Sequence, residues 1–192
     1  RRPGRPRSEH AEQAILDATL ELLAEQGLEG VTIEAAAARA GVGKATIYRR
    51  WGSRLEMIEA AFASVDREVQ IVETGDVRGD LVAVISEFQR ATLRTLPPAS
   101  IARMITTALA TPELRELFLV HVFNKRRAAL VAALRRGQER GEIRRDIDPN
   151  LAVAMIMGPL AMTGLLGQAD ALAAAELPGR LVDAALAGLR PR

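Results

Sequence analysis

The chain has 192 residues, 48% of them hydrophobic but only 3% aromatic, and it contains no cysteine. Disulfides and thiolate metal sites are thereby excluded, and packing falls to Ala, Leu, Ile and Val, which together with abundant Arg and Glu favour helices over strands. The formal net charge of +2 hides an uneven distribution: residues 1–7 carry four arginines, residues 8–34 carry seven acids and no Lys or Arg, and residues 39–54 carry five bases and no acid.

Residues 1–7, Arg-Arg-Pro-Gly-Arg-Pro-Arg, read as a disordered basic arm, because two prolines and a glycine oppose a helix and no apolar residue offers a core. Such an arm, with Arg5 and Arg7, suits the negative potential of a narrow minor groove, and Gly4-Arg5-Pro6 is similar to the core of an AT-hook. A solvated tail is the alternative. Ser8 is the expected N-cap of the first helix, whose apolar face runs through Ala11, Ile15, Ala18 and Leu22 and which Gly27 ends. Thr32 then caps a second helix over 33–40. Gly41-Val42-Gly43 forms a turn, and a third helix runs from Lys44 to Arg50. Two short helices joined by a glycine-bearing turn read as a helix-turn-helix, whose second helix enters the DNA major groove. The bases Arg39, Lys44, Arg49, Arg50 and Arg54 fit a phosphate-facing surface. Ile47 is expected to point inward, and Val31, Ile33, Ala37, Val42, Trp51 and Leu55 to pack.

Ser53 and Glu56 have capping-box spacing and open a fourth helix toward Gly75, through Ile58, Phe62, Val65, Val69 and Val72. At about 20 residues it would span roughly 30 Å and could carry a movement between domains. Further helices are expected over 80–96, 98–110, from Thr111-Pro112 to Arg140, from Asp148-Pro149 to about Leu166, and over 178–189. The fold class is therefore all-α with nine helices, divided into a helix-turn-helix DNA-binding domain over 8–55 and a second helical domain over 56–192.

Residues 151–167 carry no charge. The stretch is short for a membrane span and is interrupted by Gly158-Pro159; a helix apolar all round is otherwise buried in protein, here by its own domain and by a partner copy. Ala152, Ala161 and Gly164, with Ala184, Ala185 and Gly188 on the last helix, would allow the close approach of a four-helix homodimer interface. An effector pocket between helices would draw on Phe88, Met104, Thr107, Phe118, His121, Asn124 and Met155 and take an apolar or amphipathic ligand. Core packing is the alternative for each of these. Two histidines in different domains, dispersed acids and no glycine-rich phosphate loop after a strand argue against an enzyme. No metal and no cofactor are expected. The absence of a secretory pattern suggests a cytoplasmic protein. A dimeric DNA-binding or architectural protein that needs no ligand is the competing function.

Gly43-Lys44-Ala45-Thr46-Ile47-Tyr48-Arg49-Arg50-Trp51, with Thr32-Ile33, Ala36 to Val42 and Ser53-Arg54, resembles the DNA-binding domain of the tetracycline-repressor (TetR) family over about residues 8–58. The order of helices agrees. The resemblance implies a homodimeric transcriptional regulator, in most cases a repressor, whose C-terminal region binds a small effector and whose last two helices dimerise. It further implies that Thr32 touches phosphate and that Tyr48 meets the sugar-phosphate backbone. Gly43, Lys44, Ala45 and Thr46 would lie at the reading end of the recognition helix, with Lys44 and Arg49 reaching guanine or phosphate. Arg54 stands where the family often has lysine. The operator would be a palindrome in double-stranded DNA.

Overall fold

The computed structural model describes residues 5–65 and 73–190, with side chains from Glu9 onward, and among them there is no strand. The helices are α1 (Arg5–Gly30), α2 (Ile33–Ala40), α3 (Lys44–Tyr48), α4 (Arg54–Val65), α5 (Val77–Thr95), α6 (Pro98–Ala110) and α7 (Pro112–Phe118). After α7 come a π-helical turn (Leu119–Phe123), α8 (Asn124–Glu139), α9 (Pro149–Leu165), α10 (Ala169–Ala173) and α11 (Leu177–Leu189). Because α7, the π turn and α8 run without a break, the nine expected helices are all represented among the described residues, and α10 is an addition.

Several boundaries move for identifiable reasons. The first helix begins at Arg5, so Ser8 is not its cap but lies inside it. Pro6 permits this, since proline lacks an N–H that the first turn would leave unbonded anyway. Residues 5–7 of the expected arm are thus helical, and residues 1–4 lie outside the described residues. Gly27 breaks the regular run with φ 72° and ψ −169°, a conformation open to glycine. The expected passage of the fourth helix through Val69 and Val72 lies outside the described residues, and Glu73 and Thr74 are already non-helical. The next helix starts at Val77 rather than Asp80, because Asp76 is the cap: its carboxylate accepts from the Gly79 N–H at 2.8 Å.

Two apolar cores hold the chain. The first joins Ile15, Leu16, Leu20 and Leu23 of α1 to Ile47 of α3, Ile58 and Phe62 of α4, Met104 and Ala108 of α6, Leu114 of α7 and Val122 of the π turn. The reading end of the molecule and the C-terminal helices therefore share one core. Arg103 of α6 fastens the same seam, donating to the Glu25 carbonyl of α1 at 3.0 Å. The second core packs α5, α8, α9 and α11 through residues such as Leu81, Phe88, Leu134, Ile156 and Val182. Gly137, expected to weaken α8, is instead a place of close approach: a Cβ there would sit 2.7 Å from Cγ2 of Val77.

Asp80 is the buried charge of this second core, 1% exposed. It accepts from the Thr74 N–H at 2.6 Å and the Thr74 hydroxyl at 2.9 Å, and faces Arg136 at 3.4 Å and Arg140 at 3.6 Å. Burial raises its pKa, but the Thr74 hydrogen bonds and the Arg136 charge outweigh that and leave it below the ordinary value. A carboxylate whose folded pKa is depressed stabilises the fold fully above its unfolded pKa. That contribution drains as pH falls through the carboxylate range. Asp80→Ala should cost about 2 kcal/mol at neutral pH by removing the Thr74 hydrogen bonds and one of the two carboxylates that face Arg136, which keeps Glu73 at 3.3 Å, and the deficit relative to the parent should shrink on acidification, as read by urea unfolding at several pH values.

Candidate functional site

The helix-turn-helix is built from short helices that cannot stand alone. Thr32 caps α2, its hydroxyl accepting from the Ala35 N–H at 3.0 Å. Gly41 ends α2 in the left-handed region at φ 66°, which lets its N–H return to the Ala37 and Ala38 carbonyls. Gly43 has φ −77° and needs no such freedom. Ile47, fully buried, pins the five-residue α3 against α1 and α4. That leaves Lys44, Ala45, Tyr48 and Arg49 exposed on one side, with Thr46 half-buried beside them. Tyr48 is 57% exposed, a large ring presented to solvent. Glu56 completes the cap of α4: its N–H donates to the Ser53 hydroxyl at 3.1 Å, and its carboxylate accepts from the Gly52 N–H at 2.9 Å.

The five bases do not form a uniform phosphate surface. Arg39 pairs with Glu25 at 2.7 Å and Glu21 at 3.7 Å, tying α2 to α1, and its pKa is raised chiefly by the Glu25 hydrogen bond. Arg50 faces Glu12 at 3.7 Å. The Arg54 guanidinium is turned toward the Leu28 and Val31 carbonyls, 3.5 Å from each. Lys44 reaches Glu34 of α2 at 2.7 Å, and that hydrogen bond raises the Lys44 pKa and lowers that of Glu34. The acid run of residues 8–34 was the sequence signal for these pairs. Leu55, expected to pack, is 44% exposed, because it lies on the outer side of α4 from Met57 and Ile58. Trp51 is half-buried against the first core. The side chains of Arg5 and Arg7 lie outside the described ones.

A cavity of about 270 Å³ lies beyond this head, walled by Val65 at the end of α4 and by α5, α6, the α7–π segment, the start of α8, α9 and α10. Phe88, Met104 and Phe118 stand on its wall. Thr107, His121, Asn124 and Met155 do not. Thr107 lies on the far side of α6, where its methyl faces Gly27. Leu119, Val122 and Phe123 take the wall with Phe118, at one- and four-residue spacing along one face, while His121 falls beside that face and meets Glu59 of α4 at 3.1 Å. Asn124 is exposed, and Met155 faces outward from α9. Sequence reasoning missed Gln89, Thr92, Thr95 and Arg126, the polar residues of the wall.

The small residues named for a dimer interface divide. Ala152, Gly164 and Ala185 are buried in their own domain, with Gly164 on the cavity wall and Ile101 and Ile105 against it. Ala161, Ala184 and Gly188 are exposed, Ala161 also reaching the cavity. The larger outward residues Leu151, Met155, Met162, Leu165 and Leu166 form an apolar stripe that the small-residue criterion overlooked. Among the described residues no helix is long and apolar enough to cross a membrane.

Residues 15–61 match the family described as "Bacterial regulatory proteins, tetR family", and residues 71–185 match "Tetracyclin repressor-like, C-terminal domain". The chain belongs to the TetR family. It is a helix-turn-helix transcriptional regulator, of a family whose members are typically repressors with a ligand-binding C-terminal domain. The chain is 31% identical over 183 residues to the DNA-binding transcriptional repressor TetR of Mycobacteroides abscessus, covering 92% of each chain. It is 32% identical over 158 residues to the uncharacterized HTH-type transcriptional regulator YdeS of Bacillus subtilis, covering 82% of this chain and 79% of the relative. Among solved structures, FadR of Bacillus subtilis in complex with stearoyl-CoA superposes with a TM-score of 0.73 at 23% identity, over 93% of this chain and 99% of that one. At that identity the likeness concerns the fold. These relatives are regulators rather than enzymes.

On a TetR-type head of this geometry, Tyr48→Ala should weaken binding about tenfold on every DNA sequence, the size of one lost backbone contact, whereas Lys44→Ala should alter base preference; sequence-independent losses from both in a quantitative selection would place Lys44 on phosphate instead. Glu34→Gln, by releasing Lys44 and removing an anion beside the DNA, should tighten operator binding severalfold in a low-salt fluorescence titration, with the gain fading as salt rises.

Proposed function

We propose that this chain is a homodimeric repressor that occupies a palindromic operator and leaves it when a small apolar or amphipathic molecule fills the cavity. One observation carries the reading: the cavity wall and the DNA-reading head are in direct mechanical contact, since Val65 of α4 itself lines the cavity and two further links join them. The first is the π turn. Its Leu119, Val122 and Phe123 line the cavity, while its His121 holds Glu59 on α4, the helix that leaves the reading head. The second is α6, whose Ile101, Met104 and Ile105 line the cavity while Arg103 bonds the end of α1. Wall displacement by a ligand would reach α1 and α4 together. FadR of Bacillus subtilis, solved in complex with stearoyl-CoA, offers a precedent for an amphipathic ligand on this fold.

The dimer reading is supported by the outward stripe Leu151, Met155, Met162, Leu165 and Leu166 on α9 beside the exposed Ala184, Ala187 and Gly188 on α11. Exposed apolar residues in a continuous stripe mark an association surface, and one patch meeting its own copy gives a two-fold pair. Two reading heads about one helical turn apart, or slightly more, would then face successive major grooves, which is why a palindrome is expected. In this mechanism the ligand selects the state in which the head separation no longer fits. The cavity, with its almost wholly apolar wall, weighs against a ligand-independent architectural role, which has no use for it.

Selection of bound sites from random DNA, followed by a small-molecule screen for release from the best site, tests the whole proposal. The expected result is a palindrome and a ligand that raises the melting temperature. Spin-label distances between the two heads should change with that ligand; release at a fixed separation would contradict the mechanism. Met162→Glu should convert the dimer to monomer in sedimentation analysis and abolish tight operator binding, and a dimer that survived it would move the interface elsewhere.

A further inference from the structure

Resting on the homodimer reading above, we propose that the mouth of the cavity is closed by the second copy of this chain, so that the effector site is complete only in the dimer. Most of the wall is buried or half-buried, but three lining residues are exposed: Leu109 near the end of α6, Phe123 at the end of the π turn and Ala161 on α9. They mark the mouth. Leu109 and Phe123 are 43% and 41% exposed, large apolar side chains held at an opening onto water.

The mouth runs into the outward face of α9. Ala154, Gly158, Ala161 and Leu165 recur at steps of four, three and four, which makes them neighbours along one edge of the helix, and all four are exposed. Ala161 is the seam: it lines the cavity, and it belongs to the edge of the stripe that carries Met162 and Leu165. That edge is low. Gly158 has no side chain, and nothing stands within 4 Å of where its Cβ would be, so another helix can approach closely here. On the other rim Val120, three residues before Phe123, is 51% exposed. Apart from Tyr48 and Leu55 in the reading head, the exposed large apolar residues among those described lie either on the α9 stripe or on this rim.

Area decides the occupant. A stable two-fold interface takes about 20–30 residues a side. The stripe and its small neighbours on α11 supply far fewer, so an interface seated on them must spread over adjoining surface, and the adjoining apolar surface is the mouth. A second copy on the stripe then also takes Leu109, Val120 and Phe123 out of water, the main favourable change in association. By two-fold symmetry each subunit closes the other's cavity. Effector binding and dimerisation are thereby linked: a molecule held better by the closed site favours the dimer, and a lone subunit holds it weakly. The effector is sensed by the form that can span an operator, and lone chains do not deplete it.

The chain has no cysteine, so single thiols report on the mouth without background. Leu109→Cys, Phe123→Cys and, as a control on the reading surface, Ala45→Cys are alkylated with iodoacetamide and followed by mass spectrometry. Rates are compared in the full chain at a concentration where sedimentation shows the dimer, and in the same variants carrying Met162→Glu. The two mouth thiols should react about tenfold or more slowly in the dimer than in the monomer, as buried thiols do relative to accessible ones, and the Ala45→Cys thiol should react equally in both. Diluting Phe123→Cys through its dimer dissociation gives the same comparison with no charge placed on α9, and it stands if the Met162→Glu chain fails to fold. Equal mouth rates in dimer and monomer would overturn the proposal while the dimer reading survives. Slow reaction in both would mean that the chain covers its own mouth, which overturns it as well. A parent chain that sediments as a monomer at every concentration removes the dimer reading and this inference together.

Discussion

The architecture depends on the burial of α1 from two sides. Its inner residues Ile15, Leu16, Leu20 and Leu23 are fully or almost fully buried, and they belong to the same core as Ile47 of the recognition helix and Met104 of the cavity wall. A five-residue helix such as α3 has no stability of its own. It is positioned because Ile47 is seated among these side chains. Interiors packed at crystal-like density do not absorb displacement softly, so a change at Met104 or Ile101 is passed on rather than lost. A boundary near residue 55, drawn where the charge bias ends, marks a change in surface chemistry while the core runs continuously across it.

Charge in the reading head is managed in two layers. The acids of α1 neutralise Arg39 and Arg50 and thereby lock α2 and α3 to the scaffold. Exposed pairs of this kind add little stability, but they fix which basic groups face outward. Lys44 is different, because its partner Glu34 sits on α2 next to the same surface, and both are exposed. If Lys44 meets DNA as proposed, phosphate or a guanine edge would have to compete with that carboxylate.

Local chemistry was legible in the sequence where one residue decides one bond. Thr32, Ser53 with Glu56, Gly41 and Asp148 each do what their type and position imply. Apolar periodicity likewise located the helices. What the periodicity could not show was which neighbour each face meets: the wall takes Phe118, Leu119, Val122 and Phe123 at ordinary helical spacing, and His121 falls beside that face, against Glu59. Proline misled at the start, since Pro6 looks like a breaker yet fits a first turn. Charge runs misled at Arg39 and Arg54, because adjacency along the chain says nothing about a carboxylate or carbonyl brought near by folding. Arg126 was overlooked for the complementary reason: on a helix with several arginines, nothing in the sequence distinguishes the one stacked on Phe88.

The all-round apolarity of α9 has a divided meaning. Ala152, Val153 and Ile156 face the domain core, Met157, Leu160, Ala161 and Gly164 face the cavity, and Leu151, Met155, Met162, Leu165 and Leu166 face outward. Ligand surface and proposed dimer surface are thus opposite sides of one helix, a helix diameter apart, roughly 10 Å. Pro159 lies between them. It cannot donate to the Met155 carbonyl, so the ladder is weakest at that level, and the Thr163 hydroxyl bonds the Pro159 carbonyl one turn on. A helix with a missing rung bends there more readily than elsewhere. A molecule pressing on Leu160 and Ala161 would act at that level, on the same backbone that presents Met162 to the partner. In the proposed mechanism two routes would then carry occupancy to the DNA: one through the core shared with α4, α6 and the π turn inside a subunit, and one through α9 into the angle between subunits.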